Sequence, residues 1–212
     1  MTRPLLVATG NRGKLAELEQ LFAGLDVQIL GLDAVGPVPE VVEDGATFEA
    51  NAAKKAREVA AATGRMTLAD DSGLEVDVLA GAPGVRSARF AGEPSSDEAN
   101  NRLLLDRLSG RVGSERAARF RCVLALADPA GALGDRVHLE AGTCEGAIAH
   151  EPRGEAGFGY DPLFVPAGRE QTMAELPAEE KHRLSHRGAA AVRMRAFLEG
   201  YLAGRDGPPN GR

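Results

Sequence analysis

Two adjacent carboxylates, Asp70 and Asp71, are the residues of this sequence best suited to chemistry. They follow a short apolar run, 66–69, and precede Ser72 and Gly73. Such a run predicts a buried strand that ends in a turn, and ligands of open α/β sheets bind beyond the carboxyl ends of strands. Neighbouring anions repel each other, so a shared hard cation, Mg²⁺ above all, would stabilise them. The alternative is a solvated turn in which Asp70 caps a backbone N–H.

A second candidate site lies near the start of the chain, where an apolar strand at 5–8 meets a glycine-containing loop and a helix. In this arrangement backbone N–H groups and a helix N-terminus receive phosphate. The loop is Thr9-Gly10-Asn11-Arg12-Gly13-Lys14. It is not a Walker A loop, which needs wider glycine spacing and a hydroxyl residue where Leu15 stands. Lys14 opposes the helix dipole unless an anion meets it, and the alternative is an ordinary entry turn with an exposed lysine.

Three further stretches carry functional side chains. Glu43 could supply another metal carboxylate or could be an exposed loop acid. Between Glu151 and Asp161, three glycines surround Phe158 and Tyr160; glycine permits close backbone approach and an aromatic face stacks on a planar base. The alternative is a turn whose aromatics belong to the core. The charged run 179–188 resembles a solvated helix face, but its end at 185–188 breaks the helical pattern.

The elements that must position these residues mix helical and strand patterns. Helices are predicted at the leucine-rich segment after Lys14, from about Thr47 to Ala62, from a Ser95–Glu98 capping box, and from Gly188 onward. Strands are predicted at 26–30, at 74–79 after the Asp-Asp turn, and at 118–128 and 136–148 as an antiparallel hairpin. This order favours an α/β fold of two lobes with a cleft between them.

Composition excludes several classes of protein. The formal net charge of −6 disfavours sequence-independent nucleic-acid binding, which depends on phosphate neutralisation. The two cysteines, Cys122 and Cys144, indicate buried thiols in a reducing compartment, not a disulfide scaffold. No secretory segment or long apolar run is visible, so we expect a cytoplasmic protein without a membrane span. We expect a disordered tail at 205–212.

Taken together, these stretches resemble the inosine triphosphate pyrophosphatase family, the house-cleaning dITP/XTP pyrophosphatases. The resemblance runs from Val7 to about Arg193 and rests on five motifs in the same order and spacing: Ala-Thr-Gly-Asn-x-x-Lys at 8–14, Leu-Ala-Asp-Asp-Ser-Gly-Leu at 68–74, Gly-Ala-Pro-Gly-Val-x-Ser-Ala-Arg at 81–89, Gly-Phe-Gly-Tyr-Asp-Pro at 157–162 and Ser-His-Arg-Gly at 185–188. Each motif is weak alone, but the five together are highly specific.

The resemblance implies an α/β fold of two lobes around a central cleft, with a long mixed β-sheet flanked by helices, formed by a single domain at 1–204. It implies Mg²⁺-dependent hydrolysis of ITP, dITP, XTP and dXTP to the monophosphate and pyrophosphate. The expected partners are this small-molecule nucleotide and a second copy in a homodimer, with no nucleic acid and no membrane.

The resemblance also assigns site residues. Asp71 would be the proton acceptor and a metal ligand, with Glu43 and Asp70 as further metal ligands. The substrate contacts would be Thr9, Gly10, Asn11, Arg12, Gly13 and Lys14 around the phosphates, Ser72, the segment Phe158, Gly159, Tyr160 and Asp161 around base and ribose, Lys181 on phosphate or base, and His186 and Arg187 on the purine. One departure is visible: many bacterial members read Thr-Phe-x-Glu-Asn-Ala, whereas here Ala50 precedes Asn51. The two alternatives are that the acid has moved to Glu49 and that it is dispensable.

Base choice follows from hydrogen-bond chemistry. Hypoxanthine and xanthine present a 6-oxo acceptor, whereas adenine presents a 6-amino donor, which would leave the donors of Arg187 unpaired. Guanine shares the 6-oxo group, and the sequence does not show how it would be rejected. The rival hypotheses are a Maf-like pyrophosphatase, whose Ser-x-Ser-x-Arg-Arg start is not matched at 9–14, a nucleotide-binding protein without turnover, and a phosphatase that releases orthophosphate.

Overall fold

A computed structural model describes residues 2–204 and shows one mixed six-stranded sheet with helices. The sheet order is β2-β1-β3-β4-β5-β6. The strands are β1 Arg3–Val7, β2 Val27–Leu30, β3 Thr67–Val76, β4 Ala117–Ala127, β5 Val137–Ile148 and β6 Phe164–Pro166, and the α-helices are α1 Arg12–Leu21, α2 Phe48–Thr63, α3 Asp97–Arg107, α4 Ala178–Leu184 and α5 His186–Leu202. The tail predicted to be disordered, 205–212, lies outside the described residues.

The chain divides into two compact units. In the described part, the first unit comprises residues 2–71, 123–141 and 190–204, and the second comprises residues 72–122 and 142–189. The division falls inside β3, β4 and β5, so Asp71 ends one segment of the first unit and Ser72 begins the second unit.

In the first unit, β1 is buried because it pairs on both sides. It is parallel to β2 and to β3, and Leu5, Leu6 and Val7 are fully buried. Strands covered in this way read as continuous apolar runs, which is why the sequence identified β1. Its register with β3 ends at Val7 opposite Leu68, so the backbone of β3 continues beyond the end of its neighbour.

The predicted turn at Asp70–Gly73 is wrong, because β3 runs unbroken from Thr67 to Val76. Asp70 and Asp71 therefore lie within a strand, in the part that extends past the end of β1. The strand predicted at 74–79 is likewise wrong in its limits: β3 ends at Val76 and a 3₁₀ turn follows at Asp77–Leu79. Successive strand residues point to opposite faces, so the two carboxylates have different surroundings.

Side-chain caps set the starts of the helices. Asn11 and Thr47 cap α1 and α2 by accepting hydrogen bonds from Lys14 N–H and Ala50 N–H. The predicted capping box at Ser95 is wrong by one residue. Ser96 is the cap, accepting from Ala99 N–H, whereas the Ser95 hydroxyl donates to the carbonyl of Ala88.

The end of the chain confirms the predicted break before the last helix. Ser185 is extended, with ψ of 154°, and separates α4 from α5. The last helix begins at His186, two residues before the predicted Gly188. Both cysteines are buried and neither forms a disulfide, as the sequence predicted. Within residues 2–204, no helix has the length and apolar character needed to cross a membrane.

Arg116 stabilises the second unit from inside. Its guanidinium is 5% exposed and donates to the backbone carbonyls of Leu108, Ile148 and Ala149 at 2.6 to 3.1 Å. Arg116→Met would leave these buried acceptors unsatisfied, so we expect the free energy of unfolding to fall by about 3 kcal/mol. Urea unfolding checks this. The control Arg111→Met removes an exposed pair with Glu115, and a loss for it as large as for Arg116→Met would contradict the account.

Candidate functional site

The loop predicted to bind phosphate is ordered by its own side chains. Thr9 Oγ1 accepts from Asn11 N–H at 3.1 Å, and Asn11 Oδ1 accepts from Lys14 N–H at 3.1 Å. Gly10, Asn11 and Arg12 are exposed, and the space where a Cβ of Gly10 would lie is open. The loop therefore presents an accessible backbone at the start of α1, the arrangement that receives an anion.

Lys14 forms an ion pair with the buried carboxylate of Asp70. Its Nζ lies 2.5 Å from Oδ1 of Asp70, whose side chain is fully buried. This pair explains why a lysine is stable in the first turn of α1, where it opposes the helix dipole. A buried carboxylate needs such a partner, because an unpaired charge away from water is strongly destabilising. Lys14 thus supplies the charge partner that the buried Asp70 side chain needs.

Asp71 has a different environment from its neighbour. It is 5% exposed, and its Oδ2 has no hydrogen-bond partner among residues 2–204. Burial raises its pKa from 3.8 to about 6; Glu43 also raises it, while Lys14, Lys55 and a hydrogen bond with Asn51 lower it. A carboxylate that titrates near neutrality, with a buried oxygen not bonded to the protein, is suited to accept a proton.

Two residues of α2 that sequence reasoning missed support this group. Lys55 Nζ lies 2.6 Å from Oε1 of Glu43 and donates to the carbonyl of Asp70 at 3.1 Å. Asn51 is 1% exposed, and its Oδ1 accepts from Gly45 N–H at 2.7 Å. The available signal was spacing: Asn51 and Lys55 are one turn apart and immediately precede Ala52 and Ala56 of the buried face.

These residues fit a metal ion only if substrate phosphates supply part of its ligands. Among residues 2–204, no three His, Cys, Asp or Glu side chains group closely enough to hold a metal. Asp70 and Glu43 each pair with a lysine, whereas Asp71 Oδ2 is buried and has no hydrogen-bond partner in the described part of the chain. Mg²⁺ is usually held by one or two carboxylates together with substrate phosphates, and this donor set fits that mode.

In the second unit, the ring of Phe158 lies close to two cations. Lys181 Nζ is 5.1 Å and Arg187 Cζ is 5.6 Å from the centroid of its half-buried ring. Lys181 is also paired with Asp161 at 2.8 Å, and the same carboxylate oxygen accepts from Phe158 N–H at 2.9 Å. Arg187 is 2% exposed and donates to Ser72 Oγ at 2.9 Å. The structure thus brings these five residues of the predicted set together, and their roles toward a substrate stay a prediction.

The other two aromatic side chains of the predicted set are held by the protein itself. His186 stacks on Phe120, with ring centroids 4.7 Å apart. Tyr160 is 4% exposed, lies in the core of the second unit, and donates its hydroxyl to the carbonyl of Ser87 at 2.8 Å. Burial raises the pKa of the Tyr160 hydroxyl. Of the two aromatics between the glycines, Phe158 is the accessible one and Tyr160 has the core position.

The structure thus forms two groups. In the first unit, Lys14, Asp70, Asp71 and Glu43 are linked through the α1 and α2 lysines. In the second unit, Ser72, Phe158, Asp161, Lys181 and Arg187 are linked through ion pairs and ring contacts. Asp71 and Ser72 are consecutive residues of β3.

The chain is similar in sequence to proteins of one known family. The family model described as "Ham1 family" matches residues 5–197. A dITP/XTP pyrophosphatase of Desulforamulus reducens is 53% identical over 194 residues, which cover 92% of this chain and 94% of that protein. A dITP/XTP pyrophosphatase of Geobacter sulfurreducens is 50% identical over 198 residues, covering 93% and 97%.

Solved structures agree with the sequence relatives. The Ham1 protein of Staphylococcus aureus superposes with a TM-score of 0.82 at 40% identity, covering 93% of this chain and 99% of that one. A nucleoside-triphosphatase described as dITP/XTP pyrophosphatase from Mycobacterium abscessus gives a TM-score of 0.73 at 45% identity, covering 90% and 98%. The fold, the motifs and the extent of the matches lead to one conclusion: this chain belongs to the Ham1 family.

Proposed function

We propose that this protein hydrolyses deaminated purine nucleoside triphosphates, dITP, ITP, XTP and dXTP, to the monophosphate and pyrophosphate. The names of its relatives support the substrate class and the reaction. The observation that carries the chemistry is Asp71, buried, with a pKa of about 6 and an Oδ2 that no residue in 2–204 hydrogen-bonds. A nucleotide-binding protein without turnover needs no such proton acceptor.

In this proposal, residues of the first unit bind the phosphates. The exposed loop amides at Gly10 to Arg12 and the ammonium group of Lys14 stabilise the negative charge that grows on the departing pyrophosphate. Lys55, held between Glu43 and the Asp70 carbonyl, adds a positive charge beside Asp71. Asp71 accepts the proton of the water that attacks the α-phosphorus.

The proposed metal is Mg²⁺, with Asp71 as its main protein ligand and Glu43 and Asp70 as further candidate carboxylates. When bound, Mg²⁺ would neutralise phosphate charge and lower the pKa of a coordinated water. Lys14 and Lys55 pair with the neighbouring carboxylates of Asp70 and Glu43, so Asp71 is the carboxylate with an oxygen available for this task.

We expect activity to depend on the divalent ion, because lysines alone would leave much of the triphosphate charge uncompensated. Removal of metal with EDTA should abolish turnover of ITP, and excess Mg²⁺ should restore it. The measurement is pyrophosphate release with and without chelator. Full activity in EDTA, on protein shown by elemental analysis to be free of divalent metal, would contradict the metal proposal and leave the hydrolase proposal standing.

In this proposal, residues of the second unit bind the purine base. The half-buried ring of Phe158 offers a stacking face, with Lys181 and Arg187 nearby as donors. Arg187 can donate to a 6-oxo group but has no acceptor for the 6-amino group of adenine. His186, stacked on Phe120, and the Ser72 hydroxyl, held by Arg187, complete the proposed purine contacts.

The test of the function is product identification with several nucleotides. The protein is incubated with dITP, XTP, GTP or ATP and Mg²⁺, and the products are separated by ion-exchange chromatography. We expect pyrophosphate and monophosphate from dITP and XTP, with ATP largely untouched. Orthophosphate as the first product would instead identify a phosphatase, and turnover of other modified nucleotides alone would favour a Maf-like activity.

We further propose that the protein acts as a homodimer in the cytoplasm, where nucleotides are pooled and where its two buried thiols, which form no disulfide, would stay reduced. Analytical ultracentrifugation tests the first part. A single species at the monomer mass across micromolar concentrations would overturn the dimer.

A further inference from the structure

Helix α3 holds the backbone of Gly159 from both sides. The Gly159 N–H donates to Asp97 Oδ2 at 2.7 Å, and Asn101 Nδ2 donates to the Gly159 carbonyl at 2.9 Å. Asp97 and Asn101 are one helical turn apart on α3, so their side chains lie on the same face of the helix. Together they form a two-point clamp on one peptide segment.

The clamp acts on the residue whose ring is accessible. Phe158 immediately precedes Gly159, and its own N–H is held by Asp161 at 2.9 Å. On the other side, the Tyr160 hydroxyl is bonded to the carbonyl of Ser87 at 2.8 Å. Hydrogen bonds thus hold the backbone on both sides of the half-buried Phe158 ring, whose centroid is 5.1 Å from Lys181 Nζ and 5.6 Å from Arg187 Cζ.

Stability of the fold is a poor explanation for these two side chains. Asp97 is exposed, and hydrogen bonds at exposed positions contribute little net free energy. Asn101 carries a buried Oδ1 that has no hydrogen-bond partner within residues 2–204, and burying an unpaired amide oxygen is destabilising. What both side chains supply is the contact with Gly159.

We propose that Asp97 and Asn101 are positioning residues for base recognition: by clamping Gly159 they fix the ring of Phe158 in the orientation that stacks on the purine. The inference rests on the proposed function, in which Phe158 contacts the base. It adds α3, which none of the sequence motifs includes, to the elements that determine substrate affinity.

The test separates base binding from phosphate binding. In Asp97→Ala and Asn101→Ala we measure kcat and KM for ITP, and the inhibition constant of inorganic triphosphate, which has no base. We expect KM for ITP to rise roughly 10-fold, the equivalent of about 1.4 kcal/mol, while kcat and the triphosphate inhibition constant change less than about threefold. Asp97→Asn keeps an acceptor oxygen and should restore KM, and Glu98→Ala, on the adjacent exposed residue, should leave it unchanged.

An unchanged KM in Asp97→Ala, or a parallel rise in the triphosphate inhibition constant, would overturn the proposal. Because Asp97 is exposed, Asp97→Ala should fold, and it tests the positioning role even if Asn101→Ala does not fold. Wild-type turnover of ITP in the same series tests the proposed function separately. Hydrogen exchange of the 158–160 amides, measured without nucleotide, should quicken in both alanine variants whether or not ITP is the substrate, and unchanged exchange would show that the clamp does not hold the segment.

Discussion

Asp71→Asn is expected to lower kcat for ITP by about 10³-fold while ITP still binds, because the amide keeps the shape of the side chain but cannot accept a proton. Steady-state kinetics together with calorimetric titration of ITP measure the two effects. The matched control is Asp44→Asn, which changes an acid that is 67% exposed and pairs with Lys54. Undiminished turnover in the Asp71 variant would remove this residue from the proposed role.

Asp71→Asn, which should lower kcat, should by contrast raise the free energy of unfolding at neutral pH. Because burial raises the pKa of Asp71 from 3.8 to about 6, ionisation of Asp71 is less favourable in the folded protein than in the unfolded chain. Relative to Asp71→Asn, the wild type should therefore lose about 3 kcal/mol of stability as the pH rises from about 4 through 6. In EDTA, urea unfolding should find the variant more stable at pH 7.5 and equal to wild type near pH 4. A variant less stable at pH 7.5 would show that the charged carboxylate is favourably held.

The second large effect concerns base choice. Arg187→Lys keeps the charge but removes the planar set of donors, and the shorter reach breaks the geometry of the contact with Ser72. We expect the ratio of kcat/KM for ITP to that for ATP to fall by on the order of 100-fold, within the range that unpaired polar groups give. The measurement is the pair of kcat/KM values for each variant.

Arg183→Lys is the control for Arg187→Lys, since Arg183 is 73% exposed on the neighbouring helix α4. An unaltered ITP to ATP ratio in the Arg187 variant would mean that the purine is recognised by other residues. A loss of activity towards both nucleotides in equal proportion would give Arg187 a structural role instead, consistent with its position as a fully buried side chain.

Local sequence signals identified Asp71 and Lys14, because adjacent acids and a lysine at a helix start are unusual enough to need an explanation. They did not reveal Lys55 or Asn51. The spacing of these two residues places them beside the buried face of α2, but their contacts depend on how α2 packs. The family resemblance supplied Phe158, Lys181 and Arg187, and the structure shows that both cations contact the ring of Phe158.

The continuity of β3 was missed for a physical reason. Asp, Ser and Gly have low strand propensity, so Asp70-Asp71-Ser72-Gly73 was predicted as a turn. Tertiary interactions override that preference: Lys14 pairs with the Asp70 side chain, Lys55 binds the Asp70 carbonyl, and Ser87 Oγ accepts from Leu74 N–H at 2.9 Å. The strand ends of the long β4 and β5 were predicted within a residue, because their apolar content is high and tertiary structure agrees with local propensity.

The central claim is that water, deprotonated by Asp71, attacks the α-phosphorus of a deaminated purine nucleotide. The most direct measurement is hydrolysis of ITP in ¹⁸O-enriched water with Mg²⁺, followed by mass spectrometry of both products. The account predicts IMP that carries one ¹⁸O atom from solvent and unlabelled pyrophosphate. Label in the pyrophosphate, or release of orthophosphate in its place, would contradict it.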